Sequence, residues 1–134
     1  MSDMRIIQPG SWLTPRGYSN GIDATGRVIS VAGQIGWNPV TGVIEDLGFA
    51  RQTTQALRNV VAVLESAGAR PEHLVRMTWF ITDRDAYLDA QIAIGEAYRA
   101  IIGRHFPAMS VVVVNGLIEA DATVEIEATA VVPA

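Results

Sequence analysis

Residues 123–132 alternate without a break. Val124, Ile126, Ala128, Ala130 and Val132 share one face of an extended chain, and Thr123, Glu125, Glu127 and Thr129 share the other. A segment of this kind is a strand with one buried face, because a slip of one residue would turn its whole apolar set toward water. Just upstream, Val111-Val112-Val113-Val114 is apolar on both faces and stops at Asn115-Gly116, so it reads as a second, more deeply buried strand. Two carboxylates on one strand face need a reason. For Glu127 a wet face suffices, whereas the role of Glu125 depends on what the rest of the chain places beside it.

The other elements follow from period and punctuation. Residues 5–8 form a short first strand ended by Pro9-Gly10. The spacing predicts a hairpin between residues 12–22, with a glycine-flanked polar centre at Arg16 to Gly21, and a buried strand over residues 27–33. Residues 34–42 are irregular, with turn chemistry at Asn38-Pro39 and Thr41-Gly42.

A first helix is expected over residues 49–67. Phe49, Ala56, Leu57, Val60, Val61, Leu64 and Ala67 form its stripe, with Arg51, Gln52, Gln55, Arg58, Asn59 and Glu65 opposite and Gly68 as its C-terminal cap. Residues 74–82 alternate as a strand, with Val75, Met77, Trp79 and Ile81 on one face. Asp83 or Asp85 then caps a second helix ended by Gly103, with Tyr87, Ala90, Ile94, Ala97, Tyr98 and Ile101 inward. The order β-β-β-α-β-α-β-β describes one domain over residues 1–134, an α+β fold whose mixed sheet carries two helices on one face. The other face still presents apolar residues, and self-association is the economical way to cover them.

Composition narrows the chemistry. With 49% hydrophobic and 18% charged residues the chain is a globule, and its net charge of −4 disfavours nucleic acid and anionic membranes. All cationic side chains are Arg, so no lysine Schiff base is available, and the absence of Cys removes thiolate chemistry and disulfides. His73 and His105 are not spaced as metal ligands, and no nucleophile elbow accompanies either one. Gly33-Gln34-Ile35-Gly36 lacks the third glycine, the lysine and the following helix of a nucleotide loop. The start, Met1-Ser2-Asp3-Met4-Arg5, has no long apolar run, and no segment reaches membrane-spanning length, so a cytoplasmic protein is expected. Trp37 and Trp79 read as core or interface aromatics, with Trp37 also able to line a pocket from its loop. Tyr18, in a glycine-rich turn, is either a packing residue or a ligand contact.

Five stretches carry a resemblance. Gly17-Tyr18-Ser19-Asn20-Gly21, Val31-Ala32-Gly33-Gln34-Ile35-Gly36, Gln55-Ala56-Leu57-Arg58-Asn59-Val60, Pro107-Ala108-Met109-Ser110 and Val124-Glu125-Ile126-Glu127-Ala128 occur in the order and spacing of the RidA/YjgF family of reactive-intermediate deaminases. The resemblance covers nearly the whole chain. It implies a chorismate-mutase-like α+β fold assembled as a homotrimer, with sheets around a central barrel, helices outside and ligand clefts between subunits. It also implies hydrolysis of enamines or imines such as 2-aminoacrylate, with release of ammonia and without metal or organic cofactor.

Carried over residue by residue, the resemblance makes Glu125 the group that positions or protonates the reacting nitrogen through water, and Tyr18 a site residue. It places Ala32, Gly33, Gln91, Met109 and Val111 as substrate-binding positions, to which Trp37 is added as the aromatic that can line the pocket from its loop. Several depart from the family pattern. Met109 stands where deaminating members carry the arginine that grips the substrate carboxylate, Ala32 replaces a small hydroxylic residue, and Val111 replaces a cysteine. The family's helix asparagine aligns near Gln91 or Ile92. Methionine offers no cation, so a charge-assisted contact of about 1.5–3 kcal/mol per hydrogen bond is lost. Arg16, Arg76 and Arg104 are the candidate replacements. The expected function is therefore hydrolytic deamination of a reactive enamine or imine metabolite other than 2-aminoacrylate. The alternative is a non-catalytic metabolite-binding or chaperone-like regulatory trimer.

Overall fold

The computed structural model describes residues 4–134; Met1 to Asp3, part of the start judged to lack an apolar run, lie outside the described residues. Strands β1 (Met4–Ile7) and β2 (Gly21–Ala24) form an antiparallel pair of their own. The main sheet has the order β3-β6-β4-β5, built from β3 (Arg27–Ile35), β4 (Leu74–Ile81), β5 (Ala108–Val113) and β6 (Val124–Val132). Only β4 and β5 run parallel. Three helices complete the chain: α1 (Phe49–Ser66), α2 (Arg84–Asp89) and α3 (Gln91–Ile101). This is the mixed α+β architecture expected from the sequence.

The alternation of residues 123–132 holds in β6. Val124, Ile126 and Ala130 are fully buried, Glu125 and Thr129 partly open, and Glu127 exposed. The buried face packs with Met77, Trp79 and Ile81 of β4 against Leu57, Val60 and Leu64 of α1 and Ile94 and Tyr98 of α3. Burying each large aliphatic side chain of this cluster stabilises the fold by about 1.5–3 kcal/mol.

Five expectations need correction. The strands over residues 27–33 and 111–114, read as buried, are largely exposed in the single chain, Val28 at 63% and Val113 at 55%, because β3 and β5 are the two edges of the main sheet. Residues 12–20 form no strand pairing with 27–33: β2 pairs with β1, and β3 pairs with β6. The chain turns between β2 and β3 at Gly26, whose φ of 150° and 2.1 Å Cβ clearance to the Val132 carbonyl exclude any side chain. The expected second helix is two, broken at Ala90, which caps α2 and opens α3; Asp83 makes the expected N-cap, its Oδ1 accepting from the Ala86 amide. On β4 it is Leu74 rather than Val75 that is buried, because the register with β6 slips between Leu74 and Arg76. Gln52 and Asn59 of α1, assigned to the solvent side, are 1% and 4% exposed. Both act as polar pins. Gln52 donates to the Asp46 and Asp121 carbonyls and accepts from the Thr123 amide and hydroxyl. Asn59 donates to the carbonyls of Ile35 and Trp37 and accepts from Gln55. Fully partnered, they escape the penalty of burial and fix α1 to both ends of the sheet's polar connections.

Candidate active site

The free edge of β5 and the α2–α3 pair enclose a cavity of about 310 Å³. Because β5 is parallel to β4 with Met109 opposite Met77 and Val111 opposite Trp79, these side chains point to the helix-covered face. Three of the expected site residues, Gln91, Met109 and Val111, line this cavity together. Tyr98 and Phe106, stacked with centroids 5.5 Å apart, supply an aromatic wall. The Tyr98 hydroxyl donates to the His105 carbonyl at 2.6 Å, and burial holds its pKa far above the usual tyrosine range, so it is a fixed structural donor. Ile92, the other helix candidate, is 80% exposed and is not part of the lining.

A loop closes the mouth. Ser19 is tied to the start of β5 twice, its amide to the Pro107 carbonyl and its hydroxyl to the Phe106 carbonyl. This anchors Tyr18, 41% exposed, beside the β5 start, and lets Arg16 and Gly17 line the cavity. Gly17 has φ 78°, a left-handed turn that glycine adopts without strain.

Glu125 lies elsewhere. It pairs with Phe80 across β4–β6 and so faces the side of the sheet away from the helices. Between Val31–Ala128 and Gln34–Ile126, three steps along β3 match two along β6, which makes a bulge at Ala32 and Gly33. The Glu125 carboxylate rests over that bulge: a Cβ on Gly33 would stand 2.5 Å from Oε2. Glu125, Gly33 and Ala32 thus form one group, and the Glu125 side chain makes no hydrogen bond or ion pair with any described residue. Trp37 follows the same strand, half-buried, with its carbonyl held by Asn59. Within one chain the carboxylate and the Met109 cavity occupy opposite faces of the sheet.

Of the three arginines considered as replacements, Arg16 alone borders the cavity; Arg76 lines a polar groove of about 180 Å³ on the open face with Thr78, Glu127 and Thr129, and Arg104 lies outside both. Two further cavity residues escaped sequence reasoning. Arg99 sits one turn after Gly95, and a lone glycine inside a helical pattern was the available signal. Trp79 reads as ordinary core in sequence, yet its Nε1 is buried without a hydrogen-bond partner among the described residues. Both histidines are occupied structurally, His105 donating from Nε2 to the Leu74 carbonyl and His73 accepting from the Arg70 amide. Among the described residues no three His, Asp or Glu side chains are grouped to hold a metal ion, and no helix is long and apolar enough to cross a membrane.

Comparison with known proteins identifies relatives of the chain and of its fold. The family model described as Endoribonuclease L-PSP covers residues 12–132. The 2-iminobutanoate/2-iminopropanoate deaminase of Escherichia coli K12 is 37% identical over 117 residues, 85% of this chain and 86% of that protein. A RutC family protein of Aquifex aeolicus is 41% identical over 81 residues, an alignment that spans 63% of its length. Among solved structures, a Rid family protein of unknown function from Yersinia pestis, YyfB, superimposes with a TM-score of 0.84 at 29% identity, covering 97% of this chain and 99% of that one. The YjgF gene product of E. coli gives 0.65 at 38% identity, covering 85% and 87%. The chain belongs to the RidA/YjgF/RutC family.

Proposed function

We propose that this protein is a cofactor-independent hydrolase of a reactive enamine or imine other than 2-aminoacrylate, working in a cleft between subunits of a homotrimer. The observation that carries this reading is Glu125: a carboxylate laid over a glycine bulge, on a sheet face where, among the described residues, its side chain has no partner and no helix covers it. A structural carboxylate is expected to hold a cation or a backbone amide, and this one holds neither. Opposite placement of Glu125 and the Met109 cavity within one chain supports a shared cleft in which Glu125 comes from one subunit and the cavity from the next. Val28 and Val112, 63% and 41% exposed on the Glu125 side, are apolar surface suited to that assembly.

In such a cleft the protonated Glu125 carboxyl gives a proton to the enamine carbon, or directly to the imine nitrogen, and so makes the carbon electrophilic. The carboxylate left behind takes a proton from the water that adds to that carbon. The same proton passes to the nitrogen of the carbinolamine. As the C–N bond breaks and ammonia leaves, the carboxylate takes the proton of the carbinol hydroxyl, so that the carbonyl compound forms and the protonated Glu125 carboxyl is restored. Net, one water is consumed per C=N bond, and one group with two protonation states suffices. RNA is a poor alternative substrate for a chain of net charge −4.

Ammonia release from a panel of imines made by amino-acid oxidases, aromatic and branched ones included, tests the reading. Glu125→Gln is expected to lower turnover roughly a hundredfold while leaving melting temperature and assembly nearly unchanged. If the unmutated protein accelerates no imine of the panel, the metabolite-binding alternative replaces this one.

A further inference from the structure

Met109 removes one cation from the cavity, but the cavity is not without cations. Arg16 enters from the tethered loop and Arg99 from α3, so two guanidinium groups border the same space. Elsewhere Arg5, Arg51 and Arg70 each have a carboxylate partner, at 3.2, 3.5 and 2.6 Å, and Arg27 donates to the Ala67 carbonyl. Of the arginines whose side chains have no partner among the described residues, which include Arg58, Arg76, Arg84 and Arg104, it is Arg16 and Arg99 that border this cavity. The side chains of Arg16 and Arg99 have no ion pair or hydrogen bond with any described residue. The position of Arg99 depends on Gly95, where an added Cβ would meet Nη1 at 3.3 Å and Cζ at 3.9 Å. Glycine is a poor helix residue relative to alanine, and here it makes room for the guanidinium to fold back along the helix. Behind the charged mouth the walls are apolar and aromatic, from Ile94, Tyr98, Phe106 and Met109. Trp79, 3% exposed, adds an indole N–H with no hydrogen-bond partner among the described residues.

We propose that Arg16 and Arg99 together take over the anion-binding role missing at position 109, and that the cavity receives an organic carboxylate joined to an aromatic or branched apolar body. The proposal builds on the deaminase reading and names the substrate class of that same site. Two like charges at one mouth repel each other, and a bound carboxylate relieves the repulsion while accepting from both. The 310 Å³ volume lies in the range of small-molecule pockets, and a three-carbon acid would leave most of its apolar wall uncovered. Methionine at 109 then has a positive purpose, since its flexible thioether packs against an irregular apolar group where a third cation would not.

Calorimetric titration of the full-length protein with 3-phenylpropionate, 3-phenylpropionamide and propionate tests this without relying on turnover. The aromatic acid is expected to bind roughly tenfold or more tightly than either the amide or propionate. Arg99→Gln and Arg16→Gln should each weaken the acid by about tenfold and leave the amide unchanged, with Arg99→Lys recovering part of the loss. Arg58→Gln, on a separate groove, serves as the control and should bind like the parent; unchanged melting temperatures exclude misfolding as the cause. No binding of 3-phenylpropionate, equal affinity for acid and amide, or full affinity in the Arg16→Gln, Arg99→Gln double variant would each overturn the proposal. The two readings separate cleanly. Arginine-dependent binding with no imine hydrolysed keeps this inference and removes the deaminase, whereas full turnover of an aromatic 2-imino acid by the double variant does the reverse.

Discussion

On the helix-covered face of the sheet, Met77, Trp79 and Ile81 are between 0% and 3% exposed, and among the described residues Trp79 Nε1 is the one buried side-chain polar atom without a hydrogen-bond partner. On the other face, Glu125, Thr78 and Phe80 stay partly open, Glu127 is exposed, and Val28 is 63% exposed. The same two strands, β4 and β6, supply both faces, so the contrast comes from what lies over each of them. One face is complete within the chain, and its polar insertions (Gln52, Asn59) are satisfied by backbone. The other holds chemistry without cover. The core and the proposed proton-transfer group, Glu125, therefore lie on opposite sides of one sheet, with the Met109 cavity at the edge of the covered side, and a substitution in the core or at Glu125 should report on one or the other.

The largest effect expected is on the covered side. Leu57→Ala, at a fully buried position of α1, should lower stability by about 2–5 kcal/mol, measured by denaturant unfolding, and leave the turnover per folded molecule close to the parent value. A loss of activity without loss of stability would break the separation of faces. Next comes Gly33→Ala. Its Cβ would lie 2.5 Å from Glu125 Oε2, but the obstructed atom is the end of a flexible side chain. The fold should yield by less than about 1 kcal/mol, whereas turnover should fall roughly tenfold because the carboxylate is displaced. Met109→Arg is expected to raise affinity for small carboxylates only several-fold, since a third cation joins Arg16 and Arg99 in the same mouth. The smallest change in the fold itself is expected from Val28→Ser, within about 0.5 kcal/mol for an exposed strand position. Light scattering should nevertheless show a weaker assembly, and an unchanged one would place the covering subunit elsewhere.

Much of the fold was legible because period carries it. The strand over residues 123–132 and the helix from Phe49 emerge from alternation and a 3.6-residue stripe, and the structure gives β6 and α1 at those places. Gln52 and Asn59 were misplaced because polarity predicts solvent, and nothing local shows that distant carbonyls and amides await them. The hairpin failed for a similar reason. Residues 12–20 have hairpin-like glycine punctuation, but their partner is Pro107, far along the chain. Of the candidate site, the motifs give the positions and not their grouping. That Met109 and Glu125 face opposite ways follows from register, and the Arg99–Gly95 pair shows itself only once α3 is folded.

The double tie at Ser19 has a bearing on how such a site can change over time. Arg16 and Tyr18 lie just before Ser19, which is fixed to the carbonyls of Phe106 and Pro107, and Met109 follows two residues after Pro107. The anchor uses backbone acceptors that any sequence at these positions would offer. Recognition residues on the loop and on β5 can therefore be exchanged against one another while their spacing is preserved. A cation lost from the strand can be regained from the loop within the same cavity, and the scaffold need not register the trade.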